Sequence, residues 1–315
     1  MGMFTSAVDI EKVKARKFLE EMERAIPWEW AVEQIEPYYK RKGRIGRPQT
    51  EIKTLLKMMC LQQWYNLSDE GVEDQGIDRL SFRRFLGLGD TEDAIDATTI
   101  CKFRKLLVEQ KLLQKIQIAF TAKLCEEGII LKEGTSVDAT IVTTSGSLKN
   151  KKKKRDPEMK HTKKNNQNYF GGKVHMSQDQ KTKLIKHLRF TPANVSDSKV
   201  FEQLLDKDER AVFADKGYTK KERKQKLRKK GIFCGILHKG ARNRPLTKGH
   251  KKKNHKLSSP RAGVEHPFGI WKHIWGHRKL RYKGIRKNSE QFHLLAFLSN
   301  CYTINQKKFV PVPTG

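Results

Sequence analysis

The spacing of apolar residues changes near residue 128, and this change divides the chain into two parts. Before that point, apolar positions recur every three or four residues, which is typical of amphipathic helices. The pattern predicts a helix capped by Thr50, a second that begins at Ser68, a third over Leu80–Leu86 and a fourth opened by Asp96. Residues 1–128 are therefore predicted to form an all-helical domain.

After residue 128 the pattern alternates as in β-strands, and helical segments interrupt it. A β-branched run bounded by Gly and Ser predicts a strand over residues 134–142. Further strand-like runs occupy residues 172–179, 184–190, 210–215 and 232–237. Helix-like runs occupy residues 196–205, 219–230 and 289–301. This order predicts an α/β (α+β) domain over residues 129–315, in which helices pack on a mixed sheet.

Two polar segments of the second part, near residues 143–168 and 238–257, hold few apolar side chains. Such a composition cannot bury a core, so both are predicted to be mobile basic loops. Their lysines are candidate contacts to DNA phosphates, although runs of this kind are often simply solvated. These candidates are Lys151, Lys152, Lys251, Lys252 and Lys253.

The net charge of +31 lies entirely in residues 129–315, because residues 1–128 hold equal numbers of acidic and basic side chains. Self-repulsion of this size destabilises a compact fold unless a polyanion neutralises it, and double-stranded DNA is the obvious one. No apolar run approaches the roughly 20 residues of a membrane span, which argues against a membrane partner. Scattered cysteines and the absence of a secretory signal predict a cytoplasmic protein.

Arg83 and Arg84 in the predicted third helix are candidate DNA contacts of a helix-turn-helix reader. The alternative is a small helical bundle in which these arginines are ordinary solvated side chains. The neutral charge of residues 1–128 favours that alternative slightly.

Three acids stand out because of where the pattern puts them. Asp138 lies in the middle of an apolar strand, and Asp215 ends another. A carboxylate at such a position must be neutralised, paired or bound to metal. With Glu265 on a later helix, they would form a set of hard oxygen ligands for Mg²⁺ or Mn²⁺, with two ions serving phosphoryl transfer. The alternative is two strand-end caps and one helix salt bridge.

Arg261 and Lys272 flank Glu265 at helical spacing, so on an unbroken helix all three would share a face. Ser258 or Ser259 is the predicted cap of this helix, and Pro267 is predicted to kink it. Arg261 and Lys272 are therefore further candidate DNA contacts. The alternative is an amphipathic core helix in which Arg261 pairs with Glu265.

A second, weaker candidate for a metal site is a structural zinc site. Its possible ligands are Cys234, His238, His250 and His255. The simpler interpretation is a buried strand thiol beside histidines of a basic loop.

Four short motifs resemble the signatures of bacterial DDE transposases, and the best match is the insertion-sequence-five family. They are Val137-Asp138-Ala-Thr-Ile, Arg155-Asp-Pro-Glu-Met159, Ala214-Asp215-Lys-Gly-Tyr218 and Arg261-Ala-Gly-Val-Glu265-His-Pro-Phe268. The spacing of Arg261, Glu265 and Lys272 also fits that family, whereas Ser258 stands where the family has tyrosine.

This resemblance implies a ribonuclease-H-like sheet with helices on both faces, in which Asp138, Asp215 and Glu265 bind divalent metal. It implies an enzyme that binds the inverted repeats of its insertion sequence, cuts the element ends and joins them to target DNA. A homodimer on nucleoid DNA is expected, because two ends must be cut together. The alternatives are a catalytically silent DNA-binding regulator and a general nuclease.

Overall fold

The computed structural model describes residues 14–39, 49–89, 92–93, 95–145, 156–164, 166–241, 244–262 and 265–307. The predicted phosphate contacts Lys151 and Lys152 lie outside these residues. Contacts divide the chain into two compact units, residues 1–112 with 304–308, and residues 113–303 with 309–315. The first unit is helical and the second contains the sheet.

The helical unit is built from six helices, α1 to α6, in its described residues. They span Lys14–Ala25, Trp28–Tyr39, Ile52–Tyr65, Asp69–Asp78, Leu80–Leu86 and Ala97–Gln110. The predicted helix starts at Ser68 and Asp96 are confirmed, because their side chains accept hydrogen bonds of 2.8 Å from the N–H groups of Gly71 and Thr99. Gly87, with φ of 78°, ends α5 as predicted.

The predicted cap at Thr50 is wrong. Helix α3 begins at Ile52 and its N-cap residue is Glu51, which has extended backbone angles. The Glu51 carboxylate accepts a 3.0 Å hydrogen bond from the Thr54 hydroxyl. The N-cap position thus lies one residue later than predicted, and no backbone N–H of the helix donates to the Glu51 side chain.

The second unit begins with a long helix that the sequence pattern had not separated from the helical domain. Helix α7 spans Leu112–Glu126, and strands β1 to β6 follow at Thr135–Thr143, Lys160–Lys164, Gln167–Asp179, Ile185–Pro192, Ala211–Ala214 and Phe233–Ile236. The remaining helices, α8 to α12, span Asp197–Val200, Lys221–Lys229, Lys248–Ala262, Glu265–Gly269 and Ile285–Lys307. Short 3₁₀ segments follow α8 and β5, and a π-helix, Ile270–Ile274, continues α11.

The sheet is mixed, with strand order β2-β3-β1-β5-β6 and β4 also paired with β3. Strands β1, β3 and β4 are antiparallel neighbours, whereas β5 and β6 run parallel to β1. One face packs Val137 and Val212 against Phe201 and against Leu227 of α9. The other face carries Phe190, which stacks on Phe292 of α12 with ring centroids 5.4 Å apart. This mixed sheet with helices on both faces, preceded by a helical region, confirms the predicted α/β (α+β) fold class.

Both predicted basic loops contain regular structure. Lys160–Lys164 is a strand paired with Gln167–Gly171, and Lys248–Ala262 is the helix α10. Ser258 therefore lies inside a helix, where its hydroxyl donates to the carbonyl of Asn254, and it is not the predicted cap. Lysine is a good helix former, and an exposed hairpin strand needs backbone pairing more than an apolar side chain, so polar composition did not reveal either element.

Among the described helices, none is long and apolar enough to cross a membrane.

Candidate active site

Two of the predicted acids are brought side by side by the central strand pair. The parallel register of β1 and β5 pairs Val137 with Ala214, so Asp138 and Asp215 are the next residues along the two strands. Each carboxylate accepts a hydrogen bond from the following N–H, that of Ala139 at 2.8 Å and that of Lys216 at 2.7 Å. Both side chains are half-buried. Two carboxylates thus occupy the same level of neighbouring strands.

Tyr218 lies in the core beside this pair. Its ring is 1% exposed, and its hydroxyl has no hydrogen-bond partner within the described residues. Burial raises the pKa of Tyr218, and the charges of Asp197, Asp138 and Asp215 raise it further. The carboxylates are therefore close enough to act on a buried hydroxyl that is held neutral.

Lys272 connects the π-helix to the strand that carries Asp138. Its ammonium donates to the Thr140 hydroxyl at 2.6 Å and to the Ile141 carbonyl at 3.2 Å. Thr140 lies two residues beyond Asp138 and shares its face of the strand. Burial lowers the pKa of Lys272, and the charge of Lys164 lowers it further. A cation is therefore fixed on the face of β1 that carries the first acid.

Glu265 is exposed at the start of α11. Trp271, in the π-helix that continues α11, packs against Phe292 with ring centroids 5.7 Å apart. The seven residues from Glu265 to Lys272 span roughly 10 Å along a helix. The π-helix has more residues per turn than an α-helix, so side chains after Ile270 point in other directions than on a continuous α-helix. The prediction that Glu265 and Lys272 share one face of an unbroken α-helix is therefore not met. The side chain of Arg261 lies outside the described residues.

In the part of the chain that the structure describes, no group of three His, Cys, Asp or Glu side chains is close enough to hold a metal ion. The structure thus brings Asp138 and Asp215 together but does not gather Glu265 with them into a ligand set. Paired carboxylates still fit a hard divalent cation, because oxygen ligands are what Mg²⁺ prefers.

Exposed basic side chains lie on several elements of the unit that carries the two acids. Lys216 follows Asp215 directly and is exposed, as is Lys164 on β2. The predicted contacts Lys251, Lys252 and Lys253 are exposed on α10. These cations supply the positive charge that a phosphate backbone requires.

The two arginines of the helical unit differ in their surroundings. The guanidinium of Arg83 donates to the carbonyls of Gly89 and Glu92, so it holds the turn after α5. Arg84 is exposed and lines a cleft of about 340 Å³ with Arg16, Arg24 and Phe85. Arg84 is therefore the better placed of the two for a DNA contact.

A polar cluster near the acids was missed by the sequence patterns. The ammonium of Lys173 donates to Asp197 at 2.8 Å, and His175 bonds to the Thr191 hydroxyl at 2.9 Å. Burial lowers the pKa of His175 to about 4, although the charge of Asp197 opposes this. The signal was present in the sequence, since Lys173, His175 and Ser177 are polar at alternate positions of one strand.

Comparison with known protein families decides what this site belongs to. The family described as Transposase DDE domain matches residues 130–301, which is more than half of the chain and includes Asp138, Asp215 and Glu265. The chain belongs to the DDE transposase family. A second family, described as Transposase domain (DUF772), matches residues 9–106. The DNA transposase function predicted from the resemblance is confirmed at this level.

Two solved transposase complexes are similar to this DDE transposase in structure. A piggyBac transposase synaptic complex with hairpin DNA is 12% identical, with 93% of this chain and 74% of that chain covered and a TM-score of 0.45. The Mos1 strand transfer complex is 12% identical, with 86% and 83% covered and a TM-score of 0.22. Both TM-scores are low, and the family assignment rests on the domain matches.

Proposed function

We propose that this DNA transposase binds the terminal inverted repeats of its own insertion sequence, cleaves the element ends and joins them to target DNA. The observation that carries the proposal is the pair of carboxylates, Asp138 and Asp215, at one level of parallel strands β1 and β5. The spacing of Arg261, Glu265 and Lys272 supports assignment to the insertion-sequence-five family.

Asp138, Asp215 and Glu265 are the residues that would hold Mg²⁺ or Mn²⁺. When bound, two such ions would activate a water or a 3′-hydroxyl and stabilise the leaving oxygen of a phosphodiester. The chain itself positions the first two carboxylates through strand pairing and fixes Lys272 against β1. Exposed lysines such as Lys216 and Lys164 would hold the DNA backbone against this edge.

Two element ends have to be cut together, so we expect a homodimer on DNA, acting at the nucleoid in the cytoplasm. The mass of the complex with an end duplex, measured by sedimentation, tests this assembly. A complex of one protein chain per end, with no pairing of ends at any concentration, would contradict it.

The proposal is tested by cleavage of a duplex that carries the DNA flanking the gene, with Mg²⁺ or Mn²⁺ added. We expect nicking at a fixed position for the wild type. Asp138→Asn, Asp215→Asn and Glu265→Gln should each reduce the rate about a thousandfold, because each removes a charged ligand worth several kcal/mol to the transition state. DNA binding, measured by gel shift, should persist in all three variants.

Asp208→Asn is the matched control. Asp208 is exposed and pairs with Lys132 at 3.0 Å, so its loss changes the charge equally without touching the site. Cleavage by this variant should equal that of the wild type. Tight binding without cleavage by any protein would instead show a catalytically silent regulator, and cleavage that ignores the end sequence would show a general nuclease.

A further inference from the structure

Two histidines stack on each other at the end of the last strand of the sheet. The rings of His238 and His250 have centroids 4.3 Å apart and planes inclined by only 15°. Hydrogen bonds hold the backbone of His238 in place. The Asn254 side chain accepts from the His238 N–H at 2.8 Å and donates to the His238 carbonyl at 3.0 Å. The loop after β6 and the helix α10 are thereby joined around the two rings.

Cations from two helices surround this pair. Burial lowers the pKa of His238, and the charges of Lys224, His250, Lys253 and Arg228 lower it further. Lys224 and Arg228 come from α9, and Lys253 comes from α10. Over residues 219–257 the sequence contains a single acid, Glu222. Positive charge around two titratable rings favours an anion from outside the chain.

The pair lies on the edge of the sheet that carries the catalytic carboxylate. Strand β6 is parallel to β5, with Ala214 opposite Ile236, so Leu237 is level with Asp215 and His238 follows one residue later. The N–H of Leu237 donates to the carbonyl of Ala214 at 3.1 Å, which extends this alignment to the residue before the histidine. Neighbouring strands are about 4.8 Å apart, so the histidine pair follows the strand next to the one that ends at Asp215.

Two stacked imidazoles among lysines cannot both carry a proton at little cost, whereas a phosphodiester placed over them would offset that cost. We propose that His238 and His250, together with Lys224 and Lys253, form a binding site for a DNA phosphodiester that takes up protons when DNA binds. This rests on the proposed function, because it presumes that DNA crosses the active edge. The site reads no bases, since its contacts are to the backbone.

The same histidines were candidates for a zinc site with Cys234 and His255. No group of three metal-ligating side chains is found among the described residues. The surrounding lysines also disfavour a cation. The positive charge of this surface therefore favours an anion over a zinc ion as the ligand.

The test measures the affinity of the full chain for DNA at pH 6 and pH 8 over a range of salt concentrations. Probes are an end duplex and an unrelated duplex of equal length, with calcium in place of magnesium to prevent cleavage. For the wild type the logarithmic salt slope should be steeper by about one at pH 6 than at pH 8, because one added phosphate is neutralised. In His238→Gln/His250→Gln this difference should vanish on both duplexes, and affinity at pH 6 should fall about tenfold.

His255→Gln is the control, because His255 is exposed on α10 five residues after His250. It should keep the wild-type pH difference, and unchanged melting temperatures would show that the variants fold. The single variant His238→Gln should lose about half of the difference in slope. An unchanged pH difference in the double variant, or an effect confined to the end duplex, would overturn the proposal. A wild type that binds no DNA would instead refute the proposed function.

Discussion

Lys186 shows at the scale of a single residue how this basic chain stabilises a buried charge. Its side chain is 1% exposed, and its ammonium pairs with Asp206 at 2.7 Å and with Glu209 at 2.9 Å. It also donates to the Thr135 hydroxyl at 2.8 Å. Lys186→Met should lower the free energy of unfolding by about 3–5 kcal/mol, because it leaves two carboxylates without their cation. Urea unfolding measures this.

Lys132→Met is the comparison for that variant. Lys132 pairs with Asp208 at 3.0 Å, but the two side chains are 38% and 61% exposed. The expected cost is therefore about 0–1 kcal/mol. If the two variants lose the same stability, the buried cluster contributes no more than a surface pair.

The same cluster makes a prediction about pH. Burial alone would raise the pKa of Asp206, but hydrogen bonds from His187 and Lys186 outweigh it and hold the pKa well below its usual value. Because the pKa of Asp206 is lower in the folded chain than in the unfolded chain, its ionised form stabilises the fold. This stabilisation is complete above the pKa of the unfolded chain, which is near 4, and is lost as the pH falls through the pKa of the folded chain. Unfolding free energy should therefore fall on acidification below about pH 4, and Asp206→Asn should weaken that dependence.

Asp138 and Asp215 were predictable from the sequence because a carboxylate in an apolar strand conflicts with its surroundings. Lys186 and Glu209 were not, since their pairing depends on how a strand and a distant turn meet. The side chain of Arg261 remains a prediction, as do Lys151 and Lys152. A single residue can therefore reveal a charge in an apolar environment, but it does not identify the distant residue that pairs with that charge.

At the scale of elements, Arg223 clamps the turn that follows Asp215. Its guanidinium donates to the Tyr218 carbonyl at 2.6 Å, to the Ser198 carbonyl at 2.7 Å and to both oxygens of Glu202. It also stacks on Phe201 at 4.2 Å. Helix α9, the segment after β4 and the turn carrying Asp215 are thus fixed by one planar group.

Arg223→Lys should disturb this clamp while keeping the charge, because an ammonium cannot reproduce the planar fork. We expect a loss of about 1–3 kcal/mol of unfolding free energy, measured in urea. Cleavage should also need a higher metal concentration, because the Asp215 turn is held less firmly. Arg228→Lys, on the exposed side of the same helix, should change neither quantity. An unchanged metal requirement in Arg223→Lys would show that the clamp is structural only.

The elements themselves were predictable to different degrees. Strands with β-branched residues, and helices with a side-chain cap such as those at Ser68 and Asp96, can be predicted from the local sequence. Helix α10 and strand β2 cannot be predicted in this way, because both are lysine-rich and are stabilised by contacts with neighbouring elements. The π-helix at Ile270–Ile274 could not be foreseen either, since nothing in the spacing of its residues departs from an α-helix.

At the scale of the whole molecule, the uneven charge should make stability depend on salt. Residues 129–315 carry the entire net charge of +31, and their repulsion opposes the folded state. Raising sodium chloride from about 0.1 M to about 1 M shortens the screening length from about 10 Å to about 3 Å. The melting temperature should rise over this range, and a DNA duplex should raise it at low salt. A melting temperature that salt leaves unchanged would contradict this.

Helix α12 begins beside a segment far back in the chain. The carboxylates of Asp156 and Glu158 accept hydrogen bonds from the N–H groups of Gly284 and Ile285, and Asn300 bonds both backbone groups of Ile185. The helix packs on the sheet face that carries Asp138, so that face is complete only after this last helix has been synthesised. Contacts between segments so far apart in the chain form slowly, so the sheet face that carries Asp138 should be completed only after synthesis. A truncated translation product without this helix would then keep its basic surface while the face that carries Asp138 lacked its cover.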